Sequence, residues 1–245
     1  VLTAILTDIH GNREALEACL ASAREKSPDR YVFLGDFVGY GADPGFVLDT
    51  VIPFVESGAI ALLGNHDSAA TGNRESMNDA AAQAIAWTRK QLDDRHLEFL
   101  RSLPYTADEG DVLYVHASAD APREWDYITD QEAAVRSLQA TQARITFCGH
   151  VHVPMAFHLL KAQGLVPYEP PMNTALALTE GRWIAVIGAV GQPRDGNPDA
   201  CYALYDDEAG TLTYMRLPYD IDTAAKKIKA AGLPRRLAAR LAFGQ

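Results

Sequence analysis

Six times along this chain a short apolar run stops at residues of metal-binding type. The junctions are Thr7-Asp8-Ile9-His10-Gly11-Asn12, Gly35-Asp36, Gly64-Asn65-His66-Asp67, Val115-His116, Gly149-His150-Val151-His152 and, less clearly, Gly191-Gln192-Pro193-Arg194-Asp195. The apolar runs have strand length, and in the first half stretches of helical period separate them. Leu2–Thr7 reads as a strand and is followed by a helix over Arg13–Lys26, with Leu16, Cys19, Leu20 and Ala23 on one face. Tyr31–Leu34, Phe46–Val55 and Ala59–Leu63 repeat the strand–helix–strand pattern. Such alternation predicts a sheet with covering helices. Ligands of α/β sheets gather where strands end on one edge, so the polar junctions should converge there.

Beyond this, Asp79–Leu103 reads as one Ala-rich helix, and Asp130–Ala140 as a helix between the short strands Val112–Val115 and Ile145–Cys148. After Pro154 the texture becomes β-rich: Met155–Leu160, Ala175–Leu178, Trp183–Val190, Cys201–Tyr205 and Thr211–Leu217 are strand-like, with turns at Glu180-Gly181 and Glu208-Ala209-Gly210. Asp222–Gly244 reads as two short helices broken at Gly232 and Pro234. The chain carries no internal repeat and no low-complexity linker. The expectation is one domain over residues 1–245, β-rich second half and basic C-terminal helices included, long enough for a substantial core.

Charge narrows the partners. The net charge is −10, yet from Thr223 onward there are six basic residues and no acidic ones, leaving 16 basic against 32 acidic residues before that point. An acidic body repels polyanions, so nucleic acid is not an expected partner. The basic end reads as a solvated helical face lying near its own acidic body. No apolar run reaches the ~18 residues of a membrane span, and no basic leader region precedes the first strand, so no membrane contact and a cytoplasmic location are expected. Assembly into a homo-oligomer is left open. Cys19, Cys148 and Cys201 are far apart and form no C-x-x-C pair, which argues for buried core thiols rather than a disulfide or a thiolate zinc site.

Five of the seven histidines (His10, His66, His116, His150, His152) fall in the polar junctions, beside Asp8, Asp36 and Asn65. His96 and His158 lack such company and read as structural. In an extended Asp-x-His or His-x-His the outer side chains point the same way, so each pair can face one ion. Nitrogen and oxygen donors without sulfur suit Mn, Fe, Ni, Co or Zn better than Ca or Mg, with manganese first.

The ordered series D-x-H, G-D, G-N-H-D, strand-end His and G-H-x-H, running from Asp8 to His152, resembles the calcineurin-like metallophosphoesterase family. The Gly-Gln-Pro-Arg-Asp-Gly stretch starting at Gly191 looks like its smaller bacterial members. The resemblance implies an α/β, four-layer αββα sandwich of two mixed sheets flanked by helices, and two divalent metal ions. It gives Asp8, His10 and His152 to one ion and Asn65, His116 and His150 to the other, with Asp36 bridging. Two such cations, offset by Asp8, Asp36 and a bridging hydroxide, leave a site of about +1 that attracts a phosphoryl group even in an acidic protein. Ions about 3.5–4 Å apart share a water, lower its pKa towards ~7 and clamp both oxygens of an in-line displacement. The implied nucleophile is that bridging hydroxide.

His66 stands where the family places a non-ligand histidine facing the leaving group, a position from which an imidazolium donates a proton; Asp67 is its expected orienting partner. Asn12 is expected either at the substrate side, holding the Asp8 loop, or as the N-cap of the first helix. The phosphoprotein phosphatase branch carries G-D-x-V-D-R-G and R-G-N-H-E. The same slots here read Gly35-Asp36-Phe37-Val38-Gly39-Tyr40-Gly41 and Leu63-Gly64-Asn65-His66-Asp67, so Tyr40 and Leu63 replace two phosphate-gripping arginines. Arg194 is the first candidate for the missing charge, against a turn residue paired with Asp195 or Asp199. Arg123 is the second, and Tyr40 can offer substrate one hydrogen bond. The expected function is hydrolysis of small-molecule phosphomonoesters or phosphodiesters, nucleotides among them. The rivals are dinucleoside polyphosphate hydrolysis and a scaffold of the same fold without catalysis. A dinuclear amidohydrolase would open on His-x-His, whereas this chain opens on Asp-x-His.

Overall fold

The computed structural model describes residues 1–178 and 180–245. The first half builds β1 (Leu2–Leu6), α1 (Arg13–Glu25), β2 (Arg30–Phe33), α2 (Pro44–Glu56) and β3 (Ile60–Ala61). Three helices follow, α3 (Asn65–Ala70), α4 (Asp79–Thr88) and α5 (Asp94–Ser102), and then β4 (Thr106–Asp108), β5 (Val112–Val115), α6 (Gln131–Gln139) and β6 (Ile145–Cys148). The second half supplies β7 (Met155–Leu160), β8 (Gly164–Tyr168), β9 (Ala175–Ala177), β10 (Arg182–Val186), β11 (Ala200–Asp206) and β12 (Thr211–Leu217). Helices α7 (Ile221–Ala230) and α8 (Arg235–Leu241) close the chain.

The strands form two six-stranded sheets, in the orders β3-β2-β1-β11-β12-β9 and β4-β5-β6-β10-β7-β8. Both are mixed: β1 runs parallel to β2 and antiparallel to β11, and β6 runs parallel to β5 and β10 while β10 is antiparallel to β7. The period of two along each strand sorts side chains into layers. Ile5, Val32, Tyr114, Ile145, Phe147, Trp183 and Ala185 meet in the seam between the sheets. Their neighbours Ala4, Leu6 and Phe33 face outward onto Leu16, Leu20, Leu48 and Val51 of α1 and α2. Cys148, Ile184 and Val186 face Ala134 and Leu138 of α6. The result is the expected αββα sandwich, and burial on both faces explains why these strands read as continuous apolar runs. All three cysteines are buried and free.

Some elements differ from the sequence reading. The single helix expected over Asp79–Leu103 is two, because Asp93 accepts from the His96 amide at 2.9 Å and starts a second helix with its own cap. β4 and β8 were not expected; both are edge strands, and β8 carries Pro167, which only an edge tolerates. Helices α7 and α8 bury Ile228, Leu237 and Leu241 against Tyr40 and the alanines of α4. Lys227 reaches Glu14 at 2.5 Å and Asp43 at 2.7 Å, so part of the basic end is fastened to the acidic body. No helix is long and apolar enough to cross a membrane among the described residues.

Candidate metal centre

Each expected ligand lies just past the end of a strand: Asp8 and His10 after β1, Asp36 after β2, Asn65 at the start of α3 after β3, His116 after β5, and His150 and His152 after β6. The local conformation differs from the extended one expected. Asp8, His10, Asp36, His150 and His152 all have φ between 52° and 66°. A non-glycine residue in this left-handed region costs roughly 1–2 kcal/mol. The ends are turned rather than extended because their backbones are laced together: Asp8 N donates to Gly35 O at 3.0 Å, His10 N to Asp36 O at 2.9 Å and Gly191 N to Asp8 O at 2.9 Å. Two glycines permit the approach. A Cβ on Gly64 would overlap Asp36 Oδ1, and one on Gly149 would overlap Thr7 Oγ1.

The donors converge in two groups. In the first, His10 Nε2 lies 3.1 Å from His152 Nε2 and 3.6 Å from Asp36 Oδ2, while His152 Nε2 lies 3.2 Å from Asp8 Oδ1. In the second, His116 Nε2 lies 3.2 Å from His150 Nδ1, 3.3 Å from Asn65 Oδ1 and 3.5 Å from Asp36 Oδ2. Asp36 belongs to both. Every member is buried.

The donor set fits divalent cations on protonation grounds. His10, His116 and His152 each turn Nδ1 to a backbone carbonyl, of Val38 at 3.0 Å, Leu34 at 2.9 Å and Gln192 at 2.7 Å. A carbonyl only accepts, so Nδ1 carries a proton and, wherever the ring is neutral, its Nε2 lone pair faces the cluster. Lone pairs of His10 and His152 therefore face each other, and burial holds both rings below their ordinary pKa. Asp8 Oδ1 and His150 Nε2 are buried without a hydrogen-bond partner among the described residues. Burial alone would raise the Asp8 and Asp36 carboxyls, but His152 and His116 respectively outweigh it and hold both low. Burial likewise opposes protonation of His116, yet Asp36 lifts it to about 9. A buried site holding two carboxylates and converging lone pairs is short of positive charge, which is what metal ions bring.

The remaining expected residues divide. His66 lies beside the first donor group: its amide donates to Asp36 Oδ1 at 2.8 Å, its ring lies 4.8 Å from that of His10, and Nδ1 has no partner among the described residues. Burial pushes it down to about 4, so the ring is neutral rather than the imidazolium expected. Asp67 does not orient it. Its carboxylate accepts from the amides of Val38 at 3.2 Å and Gly64 at 3.1 Å, a backbone clamp on the two loops beside Asp36. Asn12 fills the capping role: only 4% exposed, it caps α1 through Ala15 N at 3.1 Å and donates to Gly191 O at 2.9 Å. Asn12→Ala is expected to cost about 2 kcal/mol, the sum of a lost cap and an orphaned carbonyl. Denaturant titration should show that loss while metal content stays intact; a drop in metal content without loss of stability would contradict the cap.

Arg194 sits at the site's mouth. It donates to Gln192 Oε1 at 2.9 Å, lies 5.6 Å above the Tyr40 ring, and has no carboxylate within 4.0 Å among the described residues. The turn pairing with Asp195 does not form, because Asp195 is taken by Arg216. Tyr40 packs at 4.4 Å from His66 and 4.6 Å from His10. Arg123 lies over Tyr105, 4.6 Å from its centroid. His96 bonds Asp49, and His158 stacks on Trp183 at 3.8 Å, so both are structural. One residue escaped the sequence reading: Tyr127, in the segment between β5 and α6, stacks on His150 at 4.1 Å. Its signal was an aromatic and charged run directly after a strand-end ligand.

The profile described as calcineurin-like phosphoesterase matches residues 2–154, which hold all seven candidate ligands. A protein of Methanocaldococcus jannaschii, described as uncharacterised, is 31% identical over 256 residues, spanning 100% of this chain and 98% of its own. The crystal structure of a metallophosphoesterase from Sphaerobacter thermophilus is similar at a TM-score of 0.90 and 36% identity, covering 100% of this chain and 99% of that one. A hypothetical protein from Pyrococcus horikoshii OT3 shares the fold at a TM-score of 0.82 and 19% identity, covering 100% and 98%.

Proposed function

We propose, from the premise that this chain belongs to the calcineurin-like phosphoesterase family and is a metallophosphoesterase, that it hydrolyses small-molecule phosphomonoesters and phosphodiesters with two divalent cations. Asp8, His10, Asp36 and His152 would hold one, and Asp36, Asn65, His116 and His150 the other. The observation that carries this reading is Asp36 Oδ2, which lies within 3.6 Å of a histidine Nε2 in each group. Manganese is the first expectation for both positions. Bound cations there supply Lewis-acid polarisation of the phosphoryl group and an acidified water.

The protein's own residues supply the rest. The carbonyls of Val38, Leu34 and Gln192 fix three imidazoles in the one tautomer that can ligate, so little reorganisation remains when metal arrives. Asp67 holds the Val38 and Gly64 loops in register around Asp36. His66, a neutral ring beside Tyr40, is placed to donate one hydrogen bond to the departing oxygen. Arg194 brings one fixed guanidinium to the mouth of the site, able to grip two phosphate oxygens. The direct test is turnover of 4-nitrophenyl phosphate and bis(4-nitrophenyl) phosphate by protein reconstituted with manganese, alongside metal content. Two ions per chain with turnover support the reading; no turnover of any phosphoester at full loading sinks it.

Ester preference follows from charge. A monoester is largely a dianion near neutral pH and benefits more from fixed cations than a diester does. Tyr40 and the buried Leu63 add none where a double-arginine site has two. Diesters are therefore expected to be handled at least comparably to monoesters with matched leaving groups. Arg194→Ala should lower kcat/KM for the monoester more than for the diester. A wild-type monoester preference above ~10³-fold, about 4 kcal/mol of differential stabilisation, would contradict this. If Arg194→Ala then erased that preference, the missing charge would be located.

A further inference from the structure

A pocket of about 430 Å³ opens beside the metal centre, with the ligands Asn65 and His150 among its lining. Its size falls in the range of small-molecule sites, roughly 300–1,000 Å³. The segment between β5 and α6 builds one wall and lays an aromatic ring on each histidine of the second donor group. Trp125 meets His116 edge-on at 5.8 Å, and Tyr127 stacks on His150 at 4.1 Å with an interplanar angle of 22°. The two rings differ in freedom. Trp125 is fixed by its Nε1, which donates to Glu75 Oε2 at 2.9 Å, and by Tyr105 at 5.6 Å. Tyr127 is 52% exposed, although it covers a buried ligand.

An exposed aromatic ring lying flat over a reaction centre offers its outer face to another planar group. Charge says which kind. Arg74 and Arg123 line the pocket, but so do Glu75, Glu124 and Asp126, for a net charge of −1. A second phosphate gains nothing from that balance, and a plain hydrocarbon ring would leave the charged rim unused. A neutral heterocycle with hydrogen-bond donors and acceptors at its edge suits both the ring and the rim.

We infer that this pocket is the base subsite of a nucleoside phosphoester, with the nucleobase stacked on the outer face of Tyr127. The inference rests on the hydrolytic reading above and specifies the substrate class for it. Stacking on an aromatic side chain is sequence-tolerant, so selectivity among bases is weak, and the discrimination is between base and no base.

The test compares kcat/KM for adenosine 5′-monophosphate and ribose 5-phosphate, which share their reacting group and differ only in the base. A diester pair with one common leaving group, thymidine 5′-(4-nitrophenyl phosphate) and its abasic counterpart 1,2-dideoxyribose 5-(4-nitrophenyl phosphate), serves if monoesters are not turned over. The expected wild-type ratio in favour of the base is at least about 10-fold. It should persist in Tyr127→Phe, which keeps the ring, and fall to about 1 in Tyr127→Leu. Taking the ratio cancels any effect of the substitution on the metals. A wild-type ratio near 1, or an undiminished ratio in Tyr127→Leu, overturns the subsite. If the wild type turns over none of these esters, the hydrolytic reading fails and the pocket is decided by binding. Saturation transfer to adenosine protons on zinc-loaded protein should then be seen in wild type and Tyr127→Phe and be lost in Tyr127→Leu; its absence from wild type overturns the subsite.

Discussion

Asp36→Asn is expected to lower turnover by at least about 10³-fold, the scale of losing several kcal/mol of metal-based stabilisation, and to deplete both metal positions together. The reason is that one oxygen serves two groups. Asp36 Oδ2 lies 3.6 Å from His10 Nε2 and 3.5 Å from His116 Nε2, so replacing it removes the charge the two groups share. An amide also places a donor or a weak neutral acceptor where a carboxylate stood. The fold should survive, because the second carboxylate oxygen is engaged elsewhere. Oδ1 accepts from the His66 amide at 2.8 Å, and an asparagine carbonyl can do the same. Metal analysis, steady-state kinetics and circular dichroism on one preparation test this. Retention of two ions and wild-type turnover would remove Asp36 from the bridging position; loss of one ion alone would assign it to a single group.

His66→Ala should separate chemistry from metal binding. Its ring is 4.8 Å from that of His10, but Nδ1 bonds to nothing among the described residues and the side chain belongs to neither donor group. Its truncation should leave metal content nearly unchanged and slow turnover of an alkyl ester by about 10²–10³-fold, the typical cost of removing one preorganised donor. The amide that bonds Asp36 remains in the alanine variant, so the bridging carboxylate keeps its orientation. The loss should shrink for a nitrophenoxide leaving group, which carries its developing charge with less help. Since burial holds the imidazole at about 4, the ring is neutral at pH 7 and would act as a neutral donor. Full activity of the variant on an alkyl ester, or loss of its metals, would show that His66 has another role.

The donor set was legible in the sequence because metal ligation demands particular atoms at strand ends, and few residue types carry them. His96 and His158 were set aside for want of such company, and each is engaged structurally, with Asp49 and with Trp183. A sheet with covering helices was legible in unbroken apolar runs such as Ile145–Cys148, but the division into two sheets came only with the family resemblance, because periodicity does not say which strands pair. Asp67 is engaged differently from the expectation because it bonds to main-chain groups, and a backbone partner leaves no mark on residue type; of the two roles open to Asn12, the N-cap is the one the structure shows. The left-handed turns at Asp8, His10, Asp36, His150 and His152 were missed because aspartate and histidine are not glycine, and only their surroundings impose that φ. Tyr127 was missed because its contact with His150 is made only once β5 and β6 are side by side. The restart of α5 was written in Asp93 and was overridden by the helical period around it.

The placement of the donors has a mechanical side. Asp8, His10, Asp36 and Asn65 follow strands of one sheet, while His116, His150 and His152 follow strands of the other. Each donor group therefore draws on both layers, and a cation held by it works as a rivet through the sandwich at a single rim. The far rim, where Asp206 and Thr211 flank the turn between β11 and β12, is tied across the sheets by side chains instead: Arg30 of β2 reaches Glu109 at 2.8 Å and the Tyr114 hydroxyl at 3.1 Å, a partly exposed and therefore weak fastening. A loaded protein under load or heat should thus open from the turn inward, with the ligand rim letting go last. Stripping the ions would turn a laminate bolted at one end into two plates held by their apolar seam and the Arg30 contacts at the far rim, and amide exchange at the ends of β1, β2, β5 and β6 should quicken first.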